Sequence, residues 1–236
     1  MVADRWAQAV RRQLGFGRLL PLGGAADGAW IVESAAAGVL RRAAAAAVPD
    51  ARVDGLRISL ADPATAAPPA VPPPPSALPV GPLRVTADFA ATPARPLPVV
   101  ADGLRTAVWA AASGALGLAV EAVDLRATAL LENLTADVPR TDDVGATTAA
   151  EGDAEVVRAV CSVPGVVGLL PLFGQAVRID DGTHAQVQFA VTDRRGVLET
   201  VREVRTAVAG VLAGRTSGPV TVAAVVTGIL GADLPR

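Results

Sequence analysis

Between Leu83 and Ala91 the chain alternates: Leu83, Val85, Ala87, Phe89 and Ala91 share one side, while Arg84, Thr86 and Asp88 fall on the other. A period of two predicts a strand with one buried face. Leu97, Ala101, Leu104, Val108 and Ala111 then recur at spacings of 4, 3, 4 and 3, the stripe of an amphipathic helix. Both patterns return about one hundred residues later. Ala185, Val187, Phe189 and Val191 alternate with His184, Gln186 and Gln188, and Val197, Val201, Val204, Val208 and Val211 repeat the helical stripe.

Sliding residues 83–130 onto 183–230 without a gap gives eleven identities over 48 positions, including Phe89 on Phe189 and Arg105-Thr106-Ala107-Val108 on Arg205-Thr206-Ala207-Val208. Identities arise easily in an Ala/Val-rich chain, so the paired periods carry the argument for a duplicated unit. Each copy is expected to close with a strand, Val120 to Leu130 or Val220 to Leu230, and to open with a helix ending at Val48-Pro49 or Val163-Pro164. Short strands through Gly55-Leu56-Arg57-Ile58 and Gly168-Leu169-Leu170 follow, with another from Gln175 to Asp180 in the second copy. The expected fold is α+β: a tandem repeat of a two-layer unit (helix, two or three strands, helix, strand), its helices on one face of an antiparallel sheet.

Residues 1–25 read as an N-terminal helix, with Asp4 as cap, and a lead-in. The first repeat spans 26–133 and the second 151–236. Residues 134–150 mix Thr, Asp, Pro, Gly and Ala without periodicity and read as the linker. Within the first repeat, 63–82 hold Pro63, Pro68, Pro69, Pro72 to Pro75, Pro79 and Pro82, too few N–H donors for a ladder. A solvated loop that can be removed without harm is expected there, ahead of a proline-rich groove ligand.

Composition removes whole mechanisms. All 21 basic residues are Arg, so no lysine can form a Schiff base or hold a phosphate. One His and one Cys fall short of a His/Cys zinc site. The net charge is −2 and Arg never runs beyond pairs, which argues against nucleic-acid binding. The uncharged stretch Thr216 to Ala232 contains Pro219 and alternates like a strand, so no membrane insertion is expected. With no leader pattern and a lone cysteine, the expectation is a cytoplasmic protein. It is not expected to be an enzyme, and no catalytic, cofactor-binding or metal-binding residues are nominated. Cys161 is expected to pack in the core. His184 reads as a solvated strand residue. The candidate interaction face is the polar side of the strands: Arg84, Thr86, Asp88 and Arg126 in the first copy, His184, Gln186 and Gln188 in the second.

Val163-Pro164-Gly165-Val166, then Gly168-Leu169, the Phe189 strand, Val201-Arg202-Glu203-Val204-Arg205 and the valine-rich Val220–Ile229 strand resemble the alkaline-shock, or envelope stress response, protein family. The match covers about 151–231 closely and 29–131 more loosely. The chain also resembles tandem actinobacterial proteins often labelled as a nucleopolyhedrovirus-type family. The resemblance implies a non-catalytic cytoplasmic scaffold in envelope homeostasis or stress response, brought to the membrane by a membrane-anchored partner. Association with paralogues or as a homo-oligomer is a further expectation. The chain departs from the family in carrying two units and in having Asp193-Arg194-Arg195-Gly196 where many members place Tyr-Gly. The alternative is a small-molecule or peptide-binding module that uses the cleft between the repeats.

Overall fold

The alternating segments form strands and the striped segments form helices. The computed structural model describes residues 16–133, 152–172 and 174–231, and among these the chain is mixed α+β with four helices and two sheets. The N-terminal helix expected from Asp4 and the linker at 134–150 lie outside the described residues.

The smaller sheet has the order β3 (Ala51–Leu60), β4 (Leu83–Ala91), β5 (Val120–Leu130). β3 and β4 run antiparallel, but β4 and β5 run parallel. The larger sheet places β1 (Leu19–Pro21), β2 (Ala29–Val32), β9 (Thr221–Leu230), β8 (His184–Thr192) and β6 (Val166–Leu169) side by side, and β7 (Val177–Asp180) also pairs with β8. β8 and β9 are again parallel. The sheets are therefore mixed, not antiparallel as expected. The cause is the crossover: α2 (Leu97–Ala110), continued by a π-helical turn at Ala111–Leu116, and α4 (Val197–Ala213) each return the chain to the end where the previous strand began.

β1 and β2 precede every other described element, yet they belong to the larger sheet. Ala29, Trp30 and Ile31 pair in parallel with Ala224, Val225 and Val226 of β9. β2 then passes directly into α1 (Glu33–Ala47), which packs against α2 and β3, while α3 (Ala154–Cys161) packs against α4. The helical stripes face inward as their spacing requires: Val100, Leu104 and Val108 are buried on α2, and Val201, Val204 and Val208 on α4. Phe89 is 2% exposed and Phe189 0%. A single unbroken apolar cluster joins them, running through both sheets and all four helices.

A second cluster covers the outer face of the larger sheet. Leu19, Trp30, Val32, Ala223 and Val225 are buried there against Val71, with Ala77 and Leu172 packed alongside. Val71 and Ala77 come from the proline-rich segment, so that segment is not the solvated loop expected. Leu78 N–H donates to the Leu19 carbonyl at 2.8 Å, and Ala70 N–H to the Ala25 carbonyl at 2.9 Å. Gly28, at φ +51°, permits the close approach: a Cβ there would stand 2.7 Å from Val71 Cγ2 and 3.0 Å from the Val222 carbonyl oxygen. No periodicity announces this packing, because the segment is anchored by isolated residues and not by a regular face.

Cys161 also departs from expectation. The buried face of α3 is Val156 and Val160, followed by Val163, and Cys161 lies off that line and is exposed. Partial cover of its thiol still pushes the pKa up. No helix among the described residues is long and apolar enough to cross a membrane.

Two outcomes follow. Phe89→Ala and Phe189→Ala should each cost about 3–5 kcal/mol. Because one core serves both sheets, each variant should still unfold in one transition, seen as coincident far-UV and tryptophan signals during denaturation. Deleting 64–81 uncovers Trp30, Leu19 and Val225 and should lower the melting temperature clearly; an unchanged melting curve would contradict the packing described.

Candidate functional site

β4 presents Arg84, Thr86 and Asp88 on the outer face of the three-stranded sheet, each half-buried between its neighbours. Strand register sets rows across that face. Arg84 lies between Ser59 and Ala122, Thr86 between Arg57 and Asp124, and Asp88 between Asp54 and Arg126. Arg126 donates to Asp88 through Nε at 2.8 Å and Nη2 at 3.1 Å, a bidentate pair. Arg84 Nη1 donates to Asp124 Oδ2 at 2.5 Å, and Arg52 Nε to Asp54 Oδ2 at 3.1 Å. The guanidinium of Arg126 holds the Asp88 carboxyl below the usual carboxylate range.

A bulge at Gly55, φ +55°, breaks the β3–β4 register between Asp54 and Arg57. A Cβ at Gly55 would approach Asp88 Oδ2 to 3.3 Å, so its absence leaves that carboxylate accessible. The result is a shallow depression of about 390 Å³ lined by Gly55, Thr86, Ala87, Asp88, Asp124, Leu125 and Arg126. Its charges are mutually paired and wet, which suits exchangeable contacts with another polar surface. Among the described residues no three His, Cys, Asp or Glu side chains gather in a group that could hold a metal ion.

Arg84, Thr86, Asp88 and Arg126 therefore come together as expected. His184, Gln186 and Gln188 do not join them, because they lie on the larger sheet. Gln186 is 5% exposed and Gln188 1%. Gln188 Oε1 accepts the Leu172 N–H at 2.9 Å, and its Nε2 donates to the Gln175 carbonyl at 3.0 Å, fixing Leu172 and Gln175 beside the strand. Gln188 is an internal fastener and Gln186 is buried, so neither forms a docking face. His184 sits half-buried at the start of β8 with Nδ1 2.8 Å from Thr221 Oγ1, and burial lowers its pKa despite nearby Asp180.

The two closing strands carry the same backbone fastenings but end in different settings. Thr128 Oγ1 donates to the Phe89 carbonyl and Thr227 Oγ1 to the Phe189 carbonyl, both at 3.2 Å. Arg105 Nε donates to the Val123 carbonyl at 3.3 Å, and Arg205 Nε to the Val222 carbonyl at 3.0 Å. The parallel register breaks directly after each Phe. These correspondences set Leu125, Arg126 and Ala127 of β5 beside Ala224, Val225 and Val226 of β9. The latter three are paired with β2, whereas β5 is the edge of its sheet among the described residues. Along this edge Arg126 to Leu130 are exposed, Leu130 at 63%.

Asp124 and the open edge escaped sequence reasoning. The signal for Asp124 was present, since it lies two residues before Arg126 on an alternating strand; nothing in the sequence marks which strand ends a sheet. No protein-family model, curated protein or solved structure matches the chain.

The two sets of polar residues should respond differently to truncation. Gln188→Ala leaves the Leu172 N–H and the Gln175 carbonyl without their partner and should cost about 1–3 kcal/mol. Asp88→Ala or Arg126→Ala breaks a solvent-screened pair and should leave the urea midpoint close to that of the wild type. Urea titration of the three variants distinguishes fastener from surface.

Proposed function

We propose that the protein is a non-catalytic interaction module whose docking surface is the outer face and edge of the three-stranded sheet. One observation carries this reading. Among the described residues the larger sheet has its outer face covered by the proline-rich segment and Leu172 and its β9 edge filled by β2, while nothing covers the corresponding surfaces of the smaller sheet. A wet, mixed-charge face with a strand edge beside it fits reversible protein contacts.

The proposal extends to origin. The two units arise from a duplicated helix–strand–strand–helix–strand element, a reading supported by the paired Thr–Phe and Arg–Val hydrogen bonds and the common register break. The offset between them is 100 at the Phe strands and 99 at the closing strands, so the gap-free alignment slips by one residue there, enough to exchange the faces of a strand. The first unit's extra residue falls in the stretch that contains the π-helical turn at Ala111–Leu116.

With the resemblance to the alkaline-shock family, the module is assigned to cell-envelope homeostasis or stress response in the cytoplasm, reaching the membrane through a membrane-anchored partner or paralogues. The alternative, a ligand cleft between the units, draws less support. Apolar core fills their junction, and two shallow depressions lie elsewhere, on the outer face of the smaller sheet and among the prolines.

Affinity purification from the native host, with wild type beside the double variant Asp88→Arg, Arg126→Asp, tests the proposal. The wild type should retain a membrane protein or paralogue that the variant loses, and the pure protein should not float with liposomes. Tight binding to bare liposomes, or an identical partner set for both chains, would falsify it.

A further inference from the structure

Among the described residues no strand pairs with the outer edge of β5, which is eleven residues long and carries its own complement. Asp124 and Arg126 lie two apart on the polar face, flanking Leu125. We infer that β5 pairs antiparallel with β5 of a second copy of this chain, about a two-fold axis through Leu125. In that register Asp124 faces Arg126 of the second copy, and Arg126 faces its Asp124, so the two cross-strand ion pairs form by symmetry. Val123 meets Ala127, Ala122 meets Thr128, and Glu121 meets the uncharged Ala129. Val120 meets Leu130, covering the most exposed large apolar side chain of the described residues.

Neighbouring registers are worse. A shift of two residues places Asp124 against itself in one direction and Arg126 against itself in the other, and like charges directly opposite destabilise a strand pair. A shift of one would set the polar face of one copy beside the helix-covered face of the other. The favoured register instead continues the charge pattern across the junction, with Arg84 and Asp124 of one copy beside Arg126 and Asp88 of the next. It also centres on the β5 residues that correspond to the β2-paired stretch of β9. The product is one six-stranded sheet in the order β3-β4-β5-β5-β4-β3, joined by main-chain hydrogen bonds as in other strand additions.

The inference rests on reading this sheet as a docking surface, but its test contains only this chain, so its outcome is separate from capture of any other partner. The full chain is sedimented over a range of concentrations as wild type, Asp124→Arg, Arg126→Asp, and an equal mixture of the two variants. Wild type should dimerise. Each variant alone sets like charges opposite each other twice and should dimerise at least about tenfold more weakly. The mixture should recover the dimer, because one variant then brings guanidiniums at both positions and the other brings carboxylates at both. Circular dichroism and melting curves establish that each variant is folded; if one is not, Leu130→Glu, at an exposed site, should weaken the dimer in its place. A wild-type monomer at every concentration, variants as dimeric as wild type, or folded variants that stay monomeric when mixed would each overturn the inference.

Discussion

Val32 ends β2 and Glu33 begins α1, so no loop separates a strand of the six-stranded sheet from the helix that packs on β3 of the other. The junction is held by a buried carboxylate. Glu33 Oε1 accepts the Ile58 N–H at 3.0 Å, while Arg18 donates to the Ile58 carbonyl at 2.8 Å and lies 3.9 Å from Glu33 Oε2. A buried charge without partners is costly, and these contacts offset that cost only in the observed geometry. The position of α1 thus ties the two sheets together. With α1 placed, the helix-facing sides close over one core.

The outer faces diverge because of a few side chains on β9 and β5. β9 turns Ala223 and Val225 outward, and such a face requires cover, which Val71, Ala77 and Leu172 supply. β5 turns Asp124 and Arg126 outward, and these remain stable in water as ion pairs with Arg84 and Asp88. Burial of one face and hydration of the other follow the chemistry of those side chains. The two glutamines on β8 are drawn inside with the covered face, where the Gln188 amide satisfies loop backbone groups that would otherwise be buried unpaired.

Local periodicity made β4, β8, α2 and α4 legible, along with the burial of Phe89 and Phe189, because those elements alternate or stripe against solvent. It also brought Arg84, Thr86, Asp88 and Arg126 to one surface. It could not reveal partners distant in sequence. Leu19-Leu20-Pro21 and Ala29-Trp30-Ile31-Val32 are short apolar runs, buried on both sides, and carry no alternation to read. The polar appearance of Gln186 and Gln188 misled for a related reason: alternation reports polarity, and a covering loop decides exposure. The mixed sheets were implicit in the order strand–helix–strand, which demands a parallel return when both strands are neighbours.

The pairing of β2 with β9 has a consequence for how the chain is made. Ribosomes release residues in order, and Val225, the partner of Trp30, emerges 195 residues after it. Until then the edge of β2 opposite β1 stays open, and the helix continuous with it lacks its final seat. Long-range pairings of this kind slow folding and prolong exposure of sticky intermediates. β2 therefore lacks its β9 partner until Thr221–Leu230 are synthesised, and translation products that stop short of β9 would display the strand edge that the folded protein conceals.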